Sequence, residues 1–287
     1  MLLYICWPDL RGTPVLRSIS DMSTDIITEF TNVHFSYDTS PVFSDLSIQI
    51  PAGVTSLVGQ NGTGKTTFLL LAGGRLFPSA GTVQTLGTNT ACFTKAHEDP
   101  AQEEARNRLV SFVFQNMEFE TEAPIGELLE YVYHNGFRSN TPAELLATVI
   151  EELELAHDLT RRTQELSKGA LQRVIIAFSL LYGSPVVMMD EPVFALEDNR
   201  KERVMQFLTD FAQSDNISLL YSAHELHLTE KFSDNVLLFQ KDGGIELGST
   251  TEMMTRDKLE AAYQVPLDML YRKEQLYREA LKQPGSQ

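Results

Sequence analysis

The stretch Gly59-Gln60-Asn61-Gly62-Thr63-Gly64-Lys65-Thr66-Thr67 decides the fold of this chain. It is a glycine-rich turn that ends in Lys-Thr, and it follows the apolar run 54–58. The pattern G-x-x-x-x-G-K-[ST] builds a loop whose backbone N–H groups surround a polyphosphate. The glycines let the backbone turn and approach phosphate oxygens without Cβ clashes. We therefore predict that residues 59–67, here named the phosphate loop, bind a nucleotide.

Two side chains of this loop have predicted roles of their own. Lys65 would reach the β- and γ-phosphates as a point charge, and Thr66 would offer its hydroxyl to Mg²⁺. The residues 68–72 read as a helix, and the positive N-terminal end of such a helix faces the anion. A strand, a glycine loop and a helix in this order predict an α/β protein.

A second motif supplies the carboxylates that the phosphate loop lacks. The apolar run 186–189 reads as a buried strand and ends in Asp190-Glu191. Asp190 would hold Mg²⁺, and Glu191 would polarise the attacking water as general base. A strand that ends in two acidic residues is unremarkable alone, so this prediction depends on its combination with the phosphate loop.

The overall composition excludes several classes of function. The 287 residues are 43% apolar and 22% charged, with a formal net charge of -16. So acidic a surface would repel a phosphate backbone, and we expect no nucleic-acid partner. The two cysteines, Cys6 and Cys92, have no metal-ligand spacing and imply no disulfide framework. No apolar segment is long enough to cross a bilayer, so a membrane role needs a partner protein.

The order of motifs resembles the ATP-binding cassette (ABC) ATPases over roughly residues 26–250. The family's signature element, usually L-S-G-G-Q, is similar to Leu166-Ser167-Lys168-Gly169-Ala170 here. The resemblance implies that Ser167 and Gly169 contact the γ-phosphate of ATP bound to an opposite subunit. Lys168 and Ala170 depart from the family's pattern. The structural alternative is that Ser167 only caps the following helix.

Four further positions take their roles from this resemblance. Gln115, after a short strand, resembles the glutamine that senses Mg²⁺ and the attacking water. His224, after the apolar run 219–223, resembles the switch histidine that contacts the γ-phosphate. Tyr37 resembles the aromatic residue that stacks on adenine, with a core tyrosine as the alternative. Glu197 stands where the family usually has an aspartate in a loop that crosses the dimer interface, and Asp198 is a second candidate for that role.

The resemblance implies a P-loop NTPase core with a mixed sheet flanked by helices. Added to this core are an N-terminal antiparallel β part and an inserted helical subdomain. The expected organisation begins with an N-terminal extension (1–24), which is a candidate for disorder. The core (25–115 and 166–250), the helical subdomain (116–165) and a C-terminal helical tail (251–287) make up the rest. The patterns predict β-structure at 26–58, turn residues with short β-like pieces at 81–92, a polar surface loop at 95–106 and a strand at 109–114. They also predict helices at 125–132 and 143–155, strands at 217–223 and 236–239, and a helix at 199–213.

The implied function is that of an ABC transporter ATP-binding subunit. It would bind and hydrolyse ATP with Mg²⁺, in a dimer with a second copy that sandwiches two ATP molecules. It would work on the inner face of the cell membrane through separate transmembrane permease subunits. The segment 259–267 is similar to the C-terminal end of iron-siderophore and cobalamin importer ATPases. The lysine in the signature element is also seen in exporters, so the direction of transport stays open.

Two other functions remain as alternatives at this point. One is a soluble cassette that acts as a regulatory or assembly ATPase, with the iron–sulfur assembly type as its nearest representative. The other is an ATP-binding switch with little turnover, which Lys168, Ala170 and Glu197 suggest because they depart from the family's pattern.

Overall fold

The computed structural model describes residues 26–115, 117–138 and 142–272 of the chain. These residues form ten strands: β1 (Ile26–Tyr37), β2 (Ser40–Pro51), β3 (Val54–Gly59), β4 (Ala80–Thr85), β5 (Thr88–Asn89), β6 (Val110–Val113), β7 (Val186–Met189), β8 (Ser218–Ser222), β9 (Asn235–Phe239) and β10 (Ile245–Ser249).

The α-helices are α1 (Lys65–Ala72), α2 (Pro100–Leu109), α3 (Ile125–Asn135), α4 (Leu145–Glu152), α5 (Lys168–Tyr182), α6 (Asp198–Ser214), α7 (Leu226–Phe232), α8 (Thr250–Met253) and α9 (Arg256–Tyr263). Residues 267–272 are also helical. Short 3₁₀ helices lie at Thr90–Phe93 and Thr163–Glu165.

The strands form two sheets. The first is antiparallel with the order β2-β1-β4-β5, and the second has the order β10-β9-β3-β8-β7-β6. In the second sheet β3, β6, β7, β8 and β9 are parallel neighbours, and β10 pairs antiparallel to β9. The mixed sheet and the N-terminal antiparallel part are thus confirmed.

Helices cover both faces of the six-stranded sheet, which explains its unbroken apolar strands. Every residue of β3, β6, β7 and β8 is buried, as parallel strands between helices require. Helix α1 packs between the two sheets, where Phe68 stacks on Phe30 of β1 with ring centroids 4.3 Å apart. Helices α3 to α6 pack on the other face. The carboxyl ends of β3, β6, β7 and β8 therefore share one edge.

One prediction was wrong. Residues 95–106 do not form a surface loop throughout, because helix α2 begins at Pro100. Asp99 caps this helix by accepting a hydrogen bond from the N–H of Ala101, and Pro100 occupies the first turn, where its missing N–H costs nothing. Arg108 pairs with Glu104 one turn earlier. The segment is polar because most of it faces solvent.

The remaining differences concern the ends of elements. The second predicted helix, 143–155, is shorter in the structure, where α4 ends at Glu152. The extension 1–24 and the end of the tail, 273–287, lie outside the described residues. Within the described ranges, no helix combines the length and the apolarity that a bilayer crossing requires.

Candidate nucleotide-binding site

The phosphate loop has the backbone that its glycines predict. Gly59, Gly62 and Gly64 have φ angles of 150°, 80° and 101°, in the region that favours glycine. A Cβ atom on Gly59 would lie 2.6 Å from the carbonyl oxygen of Phe239. The end of β3 therefore approaches β9 too closely for any side chain at this position.

Lys65 folds back over this loop. Its Nζ donates hydrogen bonds to the carbonyl oxygens of Gly59 at 2.7 Å and Gln60 at 2.8 Å. Burial lowers the pKa of Lys65 to about 8, although the nearby charges of Glu191 and Asp190 act in the opposite direction. A buried ammonium group of this kind gains stability from a bound anion.

The other polar side chains of the loop bind within the chain. Thr63 donates from Oγ1 to the carbonyl oxygen of Gln60 at 2.8 Å. The side-chain amide of Gln60 donates to the carbonyl oxygen of Tyr263 at the end of α9. Asn61 is exposed. The loop is thus held by its own turn and by the C-terminal segment.

Thr66 and Asp190 meet where α1 begins and β7 ends. Thr66 donates from Oγ1 to Oδ2 of Asp190 at 2.8 Å. Hydroxyl and carboxylate oxygens are the ligands that Mg²⁺ prefers, and Mg²⁺ usually takes only one or two from the protein. The described residues contain no group of three or more His, Cys, Asp or Glu side chains that could hold a metal ion. The hydroxyl of Thr66 and the carboxylate of Asp190 thus fit a cation whose other coordination positions are filled by phosphate and water oxygens.

Gln115 and His224 both reach the carboxylate of Glu191. Gln115 donates from Nε2 to Oε2 at 2.7 Å, and Nε2 of His224 contacts Oε1. Glu191 has a φ of 51°, which is uncommon for a residue other than glycine and is found at functional sites. The carboxylate is therefore oriented through both of its oxygens.

Sequence reasoning missed Ser222. Its Oγ accepts a hydrogen bond from the N–H of Glu191 at 2.9 Å and donates one to Oδ1 of Asp190 at 2.6 Å. The signal was present, because Ser222 lies two residues before His224 at the end of the predicted strand. A lone serine carries no chemistry by its type, however, and only the order of the strands brings it beside Asp190.

Tyr37 is a surface residue, with 48% of its area exposed, and not a core tyrosine. Its hydroxyl lies 3.3 Å from Oγ1 of Thr67, on the first turn of α1. The ring of Phe35 meets it edge-on, with centroids 5.0 Å apart. The aromatic ring is thus held at the border of the phosphate loop with nearly half of the residue's area accessible.

Ser167 and Gly169 are the predicted site residues that the fold does not bring to the phosphate loop. Ser167 caps α5 by accepting a hydrogen bond from the N–H of Ala170 at 3.2 Å. In the described part of the chain, no hydrogen bond or ion pair joins either residue to residues 59–67. A Cβ atom on Gly169 would lie 2.9 Å from the carbonyl oxygen of Ala195, so the start of α5 packs closely on the segment between β7 and α6.

Of the three departures from the family's pattern, Lys168 and Glu197 are exposed, whereas Ala170 is buried with 5% of its area exposed. Lys168 lies 3.8 Å from Glu118, and both side chains are mostly in solvent. Glu197 is 74% exposed at the start of α6, with Arg200 at 3.9 Å. Exposed ion pairs of this kind contribute little to stability.

A phosphate loop between β3 and α1, with an acidic pair at the end of β7 in the same sheet, defines the class of P-loop nucleotide-binding proteins. Comparison with known proteins then gives the family. The family model described as ABC transporter matches residues 43–194. The chain is 31% identical over 240 residues to the nickel import ATP-binding protein NikO of Rhodobacter capsulatus, covering 80% of this chain and 92% of that protein. The chain belongs to the ABC transporter family.

Further comparisons agree with this family. A cobalamin import ATP-binding protein of Halobacterium salinarum is 26% identical over 226 residues, and the match covers 77% of this chain and 55% of that protein. A dimeric post-hydrolysis structure of an ATP-binding cassette bound to ADP and Pi has a TM-score of 0.65 at 22% identity, with 78% of this chain and 99% of that chain covered. Such a structural likeness shows the fold. The family supports a transporter's ATP-binding, ATP-hydrolysing subunit over the soluble alternative.

Proposed function

We propose that this chain hydrolyses Mg²⁺-ATP as the subunit that drives an importer. One observation carries the proposal: the carboxylate of Glu191 is bound by both Gln115 and His224 beside the Thr66–Asp190 pair. These residues come from separate parts of the chain and converge at one edge of the sheet. A core that merely needed packing would not gather so many polar side chains there.

The nucleotide binds along the phosphate loop. The backbone N–H groups of residues 59–67 and the ammonium group of Lys65 bind the phosphates. Tyr37 stacks on the adenine with its accessible face, an interaction that base–aromatic contacts put at about 1–3 kcal/mol. The pKa of Lys65, which burial lowers to about 8, rises again when phosphate oxygens surround the ammonium group.

The metal site uses Thr66, Asp190 and Gln115. Mg²⁺ supplies neutralisation of the charge that develops on the β- and γ-phosphates. Asp190 would hold the cation through its carboxylate, directly or through water, and Thr66 would offer the lone pairs of Oγ1. Gln115 couples this site to the segment that follows it, which leads into the helical subdomain predicted for 116–165.

The hydrolytic step belongs to Glu191. It accepts a proton from a water molecule whose oxygen attacks the γ-phosphorus, and the bond to the β–γ bridging oxygen breaks, with ADP as the leaving group. His224 and Gln115 keep the carboxylate turned toward that water. Because the base is already oriented before the reaction, no further entropy is lost in orienting it.

A second copy of the chain completes the site. Ser167 and Gly169 begin α5 away from the phosphate loop of their own chain, so they are available to the ATP on another. Two copies in a twofold arrangement give two equivalent composite sites. ATP then holds the dimer together, and hydrolysis releases it, which makes the dimer a two-state switch.

The switch would act on separate transmembrane permease subunits, which place the chain at the inner face of the cell membrane. Two relatives described above are import proteins by name, and this favours import over export. The predicted division into a core (25–115 and 166–250) and a helical subdomain (116–165) gives the permease a groove to occupy.

Phosphate release and calorimetry with Mg²⁺-ATP test the enzymatic part. The wild-type chain should bind and hydrolyse ATP, and Lys65→Ala should lose both activities. Lys95→Ala, at an exposed lysine outside the site, is the matched control and should behave like wild type. Unchanged turnover in Lys65→Ala would contradict the assignment of the site.

Affinity purification from detergent-extracted membranes tests the transport part. The chain should be recovered together with a polytopic membrane protein, and the complex should persist in the Lys65→Ala variant if assembly does not need turnover. Recovery with water-soluble partners only would refute the transporter proposal.

A further inference from the structure

Ser222 lies between the two carboxylate residues of the site. Its side chain is buried, with 1% of the residue exposed. The same Oγ accepts from the backbone N–H of Glu191 and donates to Oδ1 of Asp190. A hydroxyl can do both at once because it has one proton and two lone pairs. One atom thus ties the backbone of Glu191 to the side chain of Asp190.

The hydrogen bonds continue from Asp190 to the phosphate loop. Oδ2 of Asp190 accepts from Oγ1 of Thr66 at 2.8 Å, so each of the two carboxylate oxygens is bound by a different hydroxyl group. The proton of the Thr66 hydroxyl is thereby directed at Asp190, and its lone pairs face away from that carboxylate. The direction of those lone pairs depends on a carboxylate whose other oxygen is fixed by Ser222.

We propose that Ser222 is a positioning residue that sets the orientation of Asp190 for Mg²⁺ and holds the backbone of Glu191 in its left-handed conformation. The inference rests on the proposed metal site at Thr66 and Asp190. Ser222 touches neither metal nor nucleotide and acts through these neighbours. Without its hydroxyl, Oδ1 of Asp190 and the N–H of Glu191 lose their partner. Of the two hydrogen bonds that fix the carboxylate of Asp190, only the one from Thr66 then remains.

The strand that carries Ser222 offers a matched control. Ser218 begins β8, is 4% exposed, and accepts a hydrogen bond from the N–H of Gly53 at 3.4 Å. Ser218→Ala therefore removes a buried serine hydroxyl from the same strand at the end away from the site. A change shared by Ser218→Ala and Ser222→Ala reports on the strand, and a change seen only in Ser222→Ala reports on the carboxylates.

Calorimetric titration with the non-hydrolysable ATP analogue AMP-PNP, in Mg²⁺ and separately in EDTA, tests the proposal without relying on turnover. Ser222→Ala should bind the analogue in Mg²⁺ about tenfold more weakly than wild type, as the loss of a hydrogen bond to a charged group predicts. Its affinity for the analogue in EDTA should be unchanged. Ser222→Thr keeps the hydroxyl and should restore the Mg²⁺ effect, and Ser218→Ala should match wild type in both titrations. If Ser222→Ala cannot be purified, Ser222→Cys replaces it in the test, because a thiol is only a weak hydrogen-bond donor.

Two results would overturn the inference. A Ser222→Ala variant with the wild-type gain from Mg²⁺ would show that Asp190 is oriented without Ser222. Equal losses of affinity with and without Mg²⁺ would show a general structural role. If wild type itself gains nothing from Mg²⁺, the proposed metal site is wrong and the inference falls with it, so the two failures are distinguishable.

Discussion

Gln115 donates a hydrogen bond from its side-chain amide to Oε2 of Glu191 at 2.7 Å. The first residue follows β6 and the second follows β7, and these strands are parallel neighbours. The pairing of two strands therefore places the proposed general base beside the segment that leads to the predicted helical subdomain. Any shift of that segment changes the surroundings of Glu191.

Replacing Glu191 by glutamine should trap an ATP-bound dimer. Gln keeps the size of the side chain but cannot accept the proton of the attacking water, so ATP stays at the composite interface. Gel filtration with Mg²⁺-ATP should give a dimer, and the same variant with ADP should give a monomer. A monomer under both conditions would contradict the sandwich arrangement.

Nucleotide binding should take up protons at high pH. Burial lowers the pKa of Lys65 to about 8 in the free protein, so above this pH much of the side chain is neutral. Bound phosphate raises that pKa toward the ordinary lysine value, and the amine must then gain a proton. The affinity for ATP should accordingly fall as the pH rises through about 8.

Calorimetry in buffers of different ionisation enthalpy measures this uptake. At about pH 9 wild type should take up close to one proton per ATP. Lys65→Arg provides the control, because a guanidinium group stays charged at that pH. Equal uptake in the two proteins would assign the proton to another group.

The contact between His224 and Glu191 should matter for turnover more than for binding. His224→Ala should lower kcat on the order of 100-fold, since an oriented general base contributes in that range, with a smaller change in KM for ATP. His97→Ala is the control, because His97 is exposed and pairs only with exposed Glu98 among the contacts described. Steady-state phosphate release measures both, and an unchanged kcat in His224→Ala would count against the role.

Tyr37 should bind adenine through its ring and not its hydroxyl. Tyr37→Ala should weaken ATP binding about tenfold, in the range of base–aromatic stacking, whereas Tyr37→Phe should retain the affinity. Titration with a fluorescent ATP analogue measures both variants. If Phe loses as much as Ala, the contact with Thr67 is the important one and the stacking role is wrong.

Arg173 should contribute to stability through buried hydrogen bonds. Its Nη1 donates to the carbonyl oxygens of Leu153 at 2.6 Å and Glu154 at 2.9 Å, and its side chain is 8% exposed. Burial lowers the pKa of this guanidinium group. Arg173→Met should lower the free energy of unfolding by about 2–3 kcal/mol, because two carbonyl groups lose their partner.

Arg203 is the matched comparison. It pairs with Glu154 at 2.9 Å but is 45% exposed, so Arg203→Met should cost no more than about 1 kcal/mol. Urea unfolding followed by circular dichroism measures both. Equal losses would mean that the buried carbonyl contacts of Arg173 contribute no more to stability than the exposed ion pair of Arg203.

The sequence alone was sufficient to predict those motifs whose residue types have one dominant use in proteins. Three glycines before Lys-Thr predicted the phosphate loop, and an apolar strand before Asp190-Glu191 predicted the carboxylates that act with it. It failed at 95–106, because a solvent-facing helix has no apolar stripe to reveal it. It also missed Ser222, since its partners are set by the order of β7 and β8 and not by neighbours along the chain.

The hydrogen bond from Gln60 to the carbonyl oxygen of Tyr263 has a practical consequence for anyone who shortens or tags this protein. A chain cut before Tyr263 loses the acceptor that steadies the phosphate loop, and its ATP affinity would be an artefact of truncation. Nucleotide titrations should therefore be made on chains that keep α9 whole, with any label joined beyond residue 272.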